Sequence, residues 1–379
     1  MPPLPPPSDD ARANSDLLLA RMRGAIEAAG GWLSFARYME LALYAPGLGY
    51  YSGGARKFGV AGDFVTAPEI SPLFGRVLGR QLAQVLEQCG GGVLELGAGT
   101  GKLAAQVLEE LGRLGGTAFY SILEVSGEMR QRQQETLAQS GLAGQVTWLD
   151  TLPEKLAGVI FGNEVLDALP AHLIRWTEQG PVERGVIWQD DRLHWQERPI
   201  ADAALLARAA ALELPPGYVS EINLAAPALV RELGQRLQAG LLLFIDYGYG
   251  RSEYYHPQRR VGTLRAHYRH HALDDPFHLP GLTDLSVHVD FTAVAEAGLE
   301  AGLDLLGYTS QAHFLLNGGV TDLLAETPAE AKTSYLSLSG GVKKLLSPVE
   351  MGESFKAIGL GRGVRAPSGF AAGGQTRLL

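Results

Sequence analysis

Val93-Leu-Glu-Leu-Gly-Ala-Gly-Thr-Gly-Lys102 is the stretch on which the architecture turns. A short apolar strand runs into glycines at 97, 99 and 101, and an amphipathic helix over 103–111 follows directly. Such a turn brings bare backbone close to a ligand at the carboxyl edge of a sheet. A phosphate-cradling P-loop is excluded, because it needs Gly at 96 and Ser or Thr at 103, where Leu96 and Leu103 stand. A dinucleotide turn needs Gly or Ala at 102, so Lys102 weakens that reading without removing it.

Outward from this turn the chain alternates strand and helix. Strands are predicted over 119–123, 145–148, 158–162, 241–247 and 303–309, with helices over 126–139 and 291–301. Strands spaced by helices imply an α/β fold with a mostly parallel sheet covered on both faces. Upstream, Leu17, Leu18, Ile26, Leu33, Tyr38 and Leu41 recur at helical spacing, Ser34 is placed to cap a second helix, and a third helix runs from Pro72 to Gln88. Two insertions interrupt the alternation. The first has alternating strands over 172–176, 182–188 and 193–197 and a helix over 201–212; the second, 249–290, is rich in Tyr, His, Arg, Pro and Gly. The expected organisation is a disordered proline-rich lead-in over 1–14, a helical and lid region over 15–90, a first half of the core over 91–170, an insertion over 171–240, and a second half over 241–379 containing the loop 249–290.

Composition narrows the class. With 379 residues, 46% hydrophobic and 19% charged, the chain is globular rather than disordered. Its longest apolar run, Leu241-Leu-Leu-Phe-Ile245, is far short of the about 20 residues that span a bilayer. A net charge of −9 argues against a general phosphate-backbone binder. One cysteine, Cys89, and an opening without a basic or apolar signal point to a reducing, cytoplasmic setting.

The G-x-G-x-G spacing with Glu95 two residues ahead is similar to motif I of class I methyltransferases, which bind S-adenosylmethionine. That cofactor carries no phosphate but presents an ammonium group and two ribose hydroxyls, for which carboxylates are suitable partners. Gly97, Ala98, Gly99, Thr100 and Gly101 would form its backbone cradle, with Glu95 near the ammonium, Glu124 on the ribose hydroxyls and Asp150 at the adenine amino group.

Four further stretches narrow the resemblance. They are Gly62-Asp-Phe-Val-Thr-Ala-Pro-Glu-Ile-Ser-Pro-Leu-Phe-Gly75, Gly162-Asn-Glu-Val-Leu-Asp-Ala-Leu-Pro170, Phe244-Ile-Asp-Tyr-Gly-Tyr249 and Gly262-Thr-Leu-Arg-Ala-His-Tyr268. With motif I they resemble the MidA-like family, from about residue 15 to the C-terminus. The family includes a mitochondrial complex I assembly factor that methylates arginine. The resemblance implies a class I methyltransferase fold with N-terminal helices and two insertions forming a substrate cleft. It also implies symmetric dimethylation of a protein arginine, on a core subunit of a respiratory NADH dehydrogenase. Two alternatives stand beside it: methylation of a small molecule or another side chain, and a non-catalytic assembly chaperone.

A guanidinium has no available lone pair, and a carboxylate can grip it bidentately and orient one nitrogen. Asn163-Glu164, after the fourth strand, is the leading candidate, with Asp167 expected on the same helical face as Glu164. The competing view has Asn163 capping a helix and Glu164 favouring its N-terminal end. Asp63 and Glu69 either contact cofactor or substrate, or Thr66 and Glu69 form a capping box. Asp246 and Tyr247 are placed to line a substrate cleft, and Tyr254, Tyr255, Arg265 and His267 to recognise a protein substrate. His267, His270 and His271 lack a metal-binding spacing, so no metal is assigned. No nucleic-acid partner or membrane insertion is expected, and a homodimer is an open alternative.

Overall fold

The computed structural model describes residues 4–53, 66–116, 119–327 and 332–379. The chain divides into two compact units. A sheet unit comprises Val65–Leu166, Pro227–Arg251 and Val289–Leu379, and an insertion unit comprises Met1–Phe64, Asp167–Ala226 and Ser252–His288.

The sheet unit is built on strands β1 (Gly92–Leu96), β2 (Tyr120–Leu123), β3 (Val146–Leu149), β4 (Leu156–Asn163), β5 (Leu237–Tyr249), β6 (Asp304–Ser310) and β7 (Phe355–Arg362). Their spatial order is β3-β2-β1-β4-β5-β7-β6. All pairings from β3 to β5 are parallel, whereas β7 runs antiparallel to both β5 and β6. The α/β, mostly parallel expectation holds. Helices Pro72–Cys89 and Phe291–Glu300 pack on the sheet, the first through Phe74, Val77, Leu78, Leu82 and Val85, all buried. Each such side chain contributes about 1.5–3 kcal/mol relative to exposure.

Strand β7 has no counterpart in the sequence reading. Its Gly359 and Gly361 make it look like a loop, but a Cβ at 359 would lie 2.7 Å from the Phe370 ring and one at 361 would lie 2.4 Å from Leu306 Cδ1. The glycines admit those side chains onto the strand. One register position beyond Gly361, Gly92, Gly158 and Gly240 lie side by side on β1, β4 and β5. A Cβ on Gly158 would approach Gly92 O to 2.0 Å, and one on Gly240 would approach Gly158 O to 1.8 Å.

The insertion unit holds two antiparallel sheets. One joins Leu33–Ser34, Gly180–Gln189, His172–Thr177 and Val219–Ile222, with Arg192–Pro199 also paired to Gly180–Gln189. The other joins His271–Leu273, Arg265–Tyr268 and Asp284–Ser286 inside the stretch expected to be an irregular loop. Helix Asp9–Ala28 begins within the segment expected to be disordered, because Ser8 Oγ accepts the Ala11 amide and Asp9 and Asp10 favour the positive end. Ser34 caps Phe35–Tyr44, as its position suggests.

Candidate active site

The glycine turn follows β1 and opens helix Lys102–Arg113. Gly97, Gly99 and Gly101 have φ of 61°, 51° and 83°, left-handed values open to glycine at little cost. Gln133 Nε2 donates to Gly99 O at 3.1 Å and also to Glu124 Oε2 at 3.0 Å, tying the turn to the end of β2. A Cβ at Gly97 would press on Val165 Cγ2 at 3.0 Å, whereas one at Gly99 would meet nothing within 4 Å. The space over Gly99 is open, and Ala98 lies beside it, nearly buried.

The acidic residues around this turn differ in their surroundings. Glu95 is buried, accepts the Tyr120 hydroxyl at 2.7 Å, and burial pushes its carboxyl up to about 8. Glu124 accepts the Ser126 amide at 2.9 Å as well as Gln133. Asp150 is exposed and paired with Arg130 at 2.7 Å. Glu69, on the short helix Ala67–Ile70, accepts Thr100 Oγ1 at 2.9 Å and pairs with Lys102. Thr66 makes no side-chain cap bond there, so the capping-box alternative fails and Glu69 faces the glycine turn instead. Asp63 lies outside the described residues.

Asn163 ends β4, and no helix follows it. Glu164 instead adopts φ 55°, a left-handed conformation costing an L-residue about 1–2 kcal/mol. Its amide donates to Ile245 O at 2.9 Å, and Asn163 Nδ2 donates to Glu164 Oε1 at 3.0 Å. Asp246, buried at the end of β5, holds the turn: Oδ2 accepts the amides of Val165 at 3.1 Å and Leu166 at 2.8 Å, and Oδ1 accepts that of Tyr247 at 2.9 Å. With Glu164 held left-handed and Pro170 close behind, no helix forms over this stretch. The expectation that Asp167 and Glu164 share a helical face is therefore corrected, and the helix-cap view of Asn163 falls with it. Tyr247 packs edge-on against Phe355 at 5.4 Å.

The remaining residues singled out in the sequence lie in the insertion unit. Tyr254 and Tyr255 are buried, and their hydroxyls reach Glu221, at Oε2 (3.2 Å) and at the carbonyl (3.1 Å). Glu221 also accepts the amides of Thr263 and Leu264 and the Thr263 hydroxyl, each at about 2.9 Å. It is the anchor of the second insertion, and no spacing in the sequence marks it. Arg265 is exposed and His267 half-buried on one strand face, with Ala266 between them facing the core. Gln133 and Arg130 also went unnoticed, being two of several polar residues on a helix with only a faint apolar stripe. Among the described residues no group of three His, Cys, Asp or Glu side chains could hold a metal ion, and no helix is long and apolar enough to cross a membrane.

The sheet unit's residues suit a phosphate-free cationic nucleoside. The open space over Gly99 admits a ligand against bare backbone. Asn163 Oδ1 is a buried acceptor without a hydrogen-bond partner among the described residues, and the Glu124 carboxyl follows β2, where ribose hydroxyls can be held.

Comparison with known proteins agrees. The profile of a family of S-adenosyl-L-methionine-dependent methyltransferases matches residues 77–309. The rat (Rattus norvegicus) mitochondrial protein arginine methyltransferase NDUFAF7 is 30% identical over 370 residues, covering 87% of this chain and 81% of its own. The Drosophila melanogaster homologue, also mitochondrial, is 28% identical over 413 residues, covering 96% and 91%. A Burkholderia thailandensis protein crystallised with S-adenosyl-homocysteine is 51% identical, with full coverage of both chains and a TM-score of 0.96. The cofactor is therefore S-adenosyl-L-methionine, and the dinucleotide alternative is set aside. The cytoplasmic placement is corrected, since these curated relatives are named as mitochondrial proteins; cysteine count and an opening without a basic or apolar signal do not identify a compartment. The chain belongs to the MidA-like family of class I S-adenosyl-L-methionine-dependent methyltransferases.

Proposed function

We propose that this methyltransferase acts on arginine side chains of a protein, with Glu164 as the carboxylate that holds the guanidinium. The observation that carries the reading is the strained left-handed turn at Glu164, on the carboxyl edge of the sheet and fixed by Asp246. The names of the curated relatives add support. The cofactor supplies an electrophilic methyl group when bound. What the chain must do is hold the guanidinium, bias its electrons toward one nitrogen, and align that nitrogen with the methyl. Glu164 serves the first two tasks, and Asn163 fixes its carboxylate through Nδ2. The nitrogen that gains the methyl carbon gives up one proton, leaving the product guanidinium charged. Symmetric dimethylation of a respiratory NADH dehydrogenase core subunit is the first substrate to test.

The test incubates the purified chain with S-adenosylmethionine and that subunit, and maps methyl groups by mass spectrometry. Methylarginine is expected. Glu164→Gln should lose turnover while its S-adenosylhomocysteine affinity stays within a few-fold. A fully active Glu164→Gln would remove Glu164 from the role, and methyl groups on another residue type would overturn the arginine reading.

A further inference from the structure

Helix Gly127–Gln139 buries Met129, Gln133 and Leu137, side chains spaced four apart on one face. Gln133 therefore sits at the centre of the inward stripe, and it is 0% exposed. Packing alone is met there by leucine or methionine, because burying an amide costs free energy unless its polar atoms are paired. Both of them are. Gln133 Nε2 donates to Gly99 O at 3.1 Å and to Glu124 Oε2 at 3.0 Å, and Oε1 accepts the Trp148 indole N–H at 3.0 Å. These partners dictate how the amide is turned. In the reverse orientation its oxygen would face two acceptors and its NH2 would face another donor.

The two acceptors that Gln133 joins belong to different parts of the cofactor region: Glu124 follows β2, and Gly99 is the middle glycine of the turn after β1. Glu124 Oε1 accepts the Ser126 amide at 2.9 Å while Oε2 accepts Gln133, so each carboxylate oxygen is held by one donor and has a second lone pair to offer. Two oxygens fixed in this way match two vicinal hydroxyls. Arg130, one turn earlier on the helix, donates to Glu124 O at 2.8 Å and to Asp150 Oδ1 at 2.7 Å, which holds the backbone at the same point. On the turn, the peptide is planar and trans, so anchoring Gly99 O also sets the direction of the Thr100 N–H. Gly101 allows the approach, since a Cβ there would lie 3.0 Å from Gln133 Cα.

We propose that Gln133 is a positioning residue for the cofactor, which aims the Glu124 carboxylate at the ribose hydroxyls and holds the Gly99–Thr100 peptide through the same amide. Selectivity for a ribose over a deoxyribose then depends on a side chain that is itself buried. Without the Nε2 donor, Glu124 keeps the Ser126 amide alone and its carboxylate can turn about that bond, so the paired hydroxyl contacts lose their geometry. Trp148 acts one step further back, by fixing which way the Gln133 amide faces. The inference rests on Glu124 as the ribose carboxylate, and it is independent of which substrate receives the methyl group.

The experiment measures, by calorimetry on the full chain, the affinities of S-adenosylhomocysteine and of its 2′-deoxy and 3′-deoxy analogues. Wild type should favour the ribose ligand over each analogue by about tenfold or more, the scale of one hydrogen bond to a charged group. Gln133→Met is close in length and volume but lacks the donor, and its ratios should fall to within about threefold. Trp148→Phe keeps the donor and removes what orients it, so its ratios should fall by a smaller factor. Thermal unfolding of each variant shows that it is folded. A merely structural Gln133 would weaken all three ligands alike and leave the ratios as in wild type. That result in a folded Gln133→Met overturns the proposal; where this variant does not fold, unchanged ratios in Trp148→Phe overturn it. Glu124→Gln separates the proposal from its premise. Ratios near one in Glu124→Gln, with wild-type ratios in Gln133→Met, leave Glu124 on the ribose and remove Gln133 from its role. Wild-type ratios in Glu124→Gln, or no ribose preference in wild type, remove both.

Discussion

Replacing Asp246 by Asn tests the link between the turn and the chemistry. The carboxylate accepts three amides, from Val165, Leu166 and Tyr247, at 3.1, 2.8 and 2.9 Å. An amide has one acceptor oxygen. Turned toward Val165 and Leu166 it retains two bonds without charge assistance, and its NH2 then faces the Tyr247 amide. Charge-assisted bonds contribute about 1.5–3 kcal/mol and neutral ones about 0.5–1.5, so two weakened bonds and one lost bond sum to about 3.5–6 kcal/mol. The left-handed Glu164 costs only about 1–2 kcal/mol, so this loss suffices to release the turn. Urea unfolding should show stability reduced by about 4 kcal/mol, and turnover on an arginine peptide should fall about tenfold or more. Calorimetric S-adenosylhomocysteine affinity should stay within a few-fold, because the glycine turn is untouched. A variant with reduced stability but wild-type turnover would falsify the claim that Asp246 fixes Glu164 for the reaction.

Gly99→Val should lose S-adenosylhomocysteine binding in calorimetry, because its side chain enters the open space over the turn, and should cost about 1–2 kcal/mol for a left-handed L-residue. Glu95 makes stability pH-dependent. Its folded pKa is raised from 4.5 to about 8, so across that window the folded chain keeps a proton that the unfolded chain has lost, and stability falls with rising pH by up to about 1.4 kcal/mol per unit. Denaturation between about pH 5 and pH 8 should show that slope reduced in Glu95→Gln. Gly158→Ala should yield little folded protein by circular dichroism, since its Cβ would overlap Gly92 O at 2.0 Å and the backbone on both sides is fixed by the sheet.

What the sequence reveals here is what local chemistry decides. The glycine turn is legible because three left-handed positions within five residues leave glycine as the low-strain choice, and Glu124 is legible because the end of β2 is. The turn at Glu164 is not. Read locally, Asn163 to Asp167 favours a helix, but the backbone at Glu164 is left-handed and the Val165 and Leu166 amides turn to Asp246, which arrives from another strand. Strand β7 is hidden for the same reason, its glycines answering to Phe370 and Leu306 rather than to neighbours in sequence.

The anchor at Glu221 is the extreme case. Its partners are residues 254, 255, 263 and 264, more than thirty positions away, and none lies in a spacing that signals the contact. The asymmetry follows from what each part must do. A cofactor of fixed shape is met by one contiguous turn whose backbone geometry restricts its residues. The insertion unit is held instead by contacts such as those of Glu221, which restrict residue identity through tertiary structure alone. Substrate choice in this fold should therefore change by substitutions in the insertion unit that leave the glycine turn, and hence cofactor affinity, as they are.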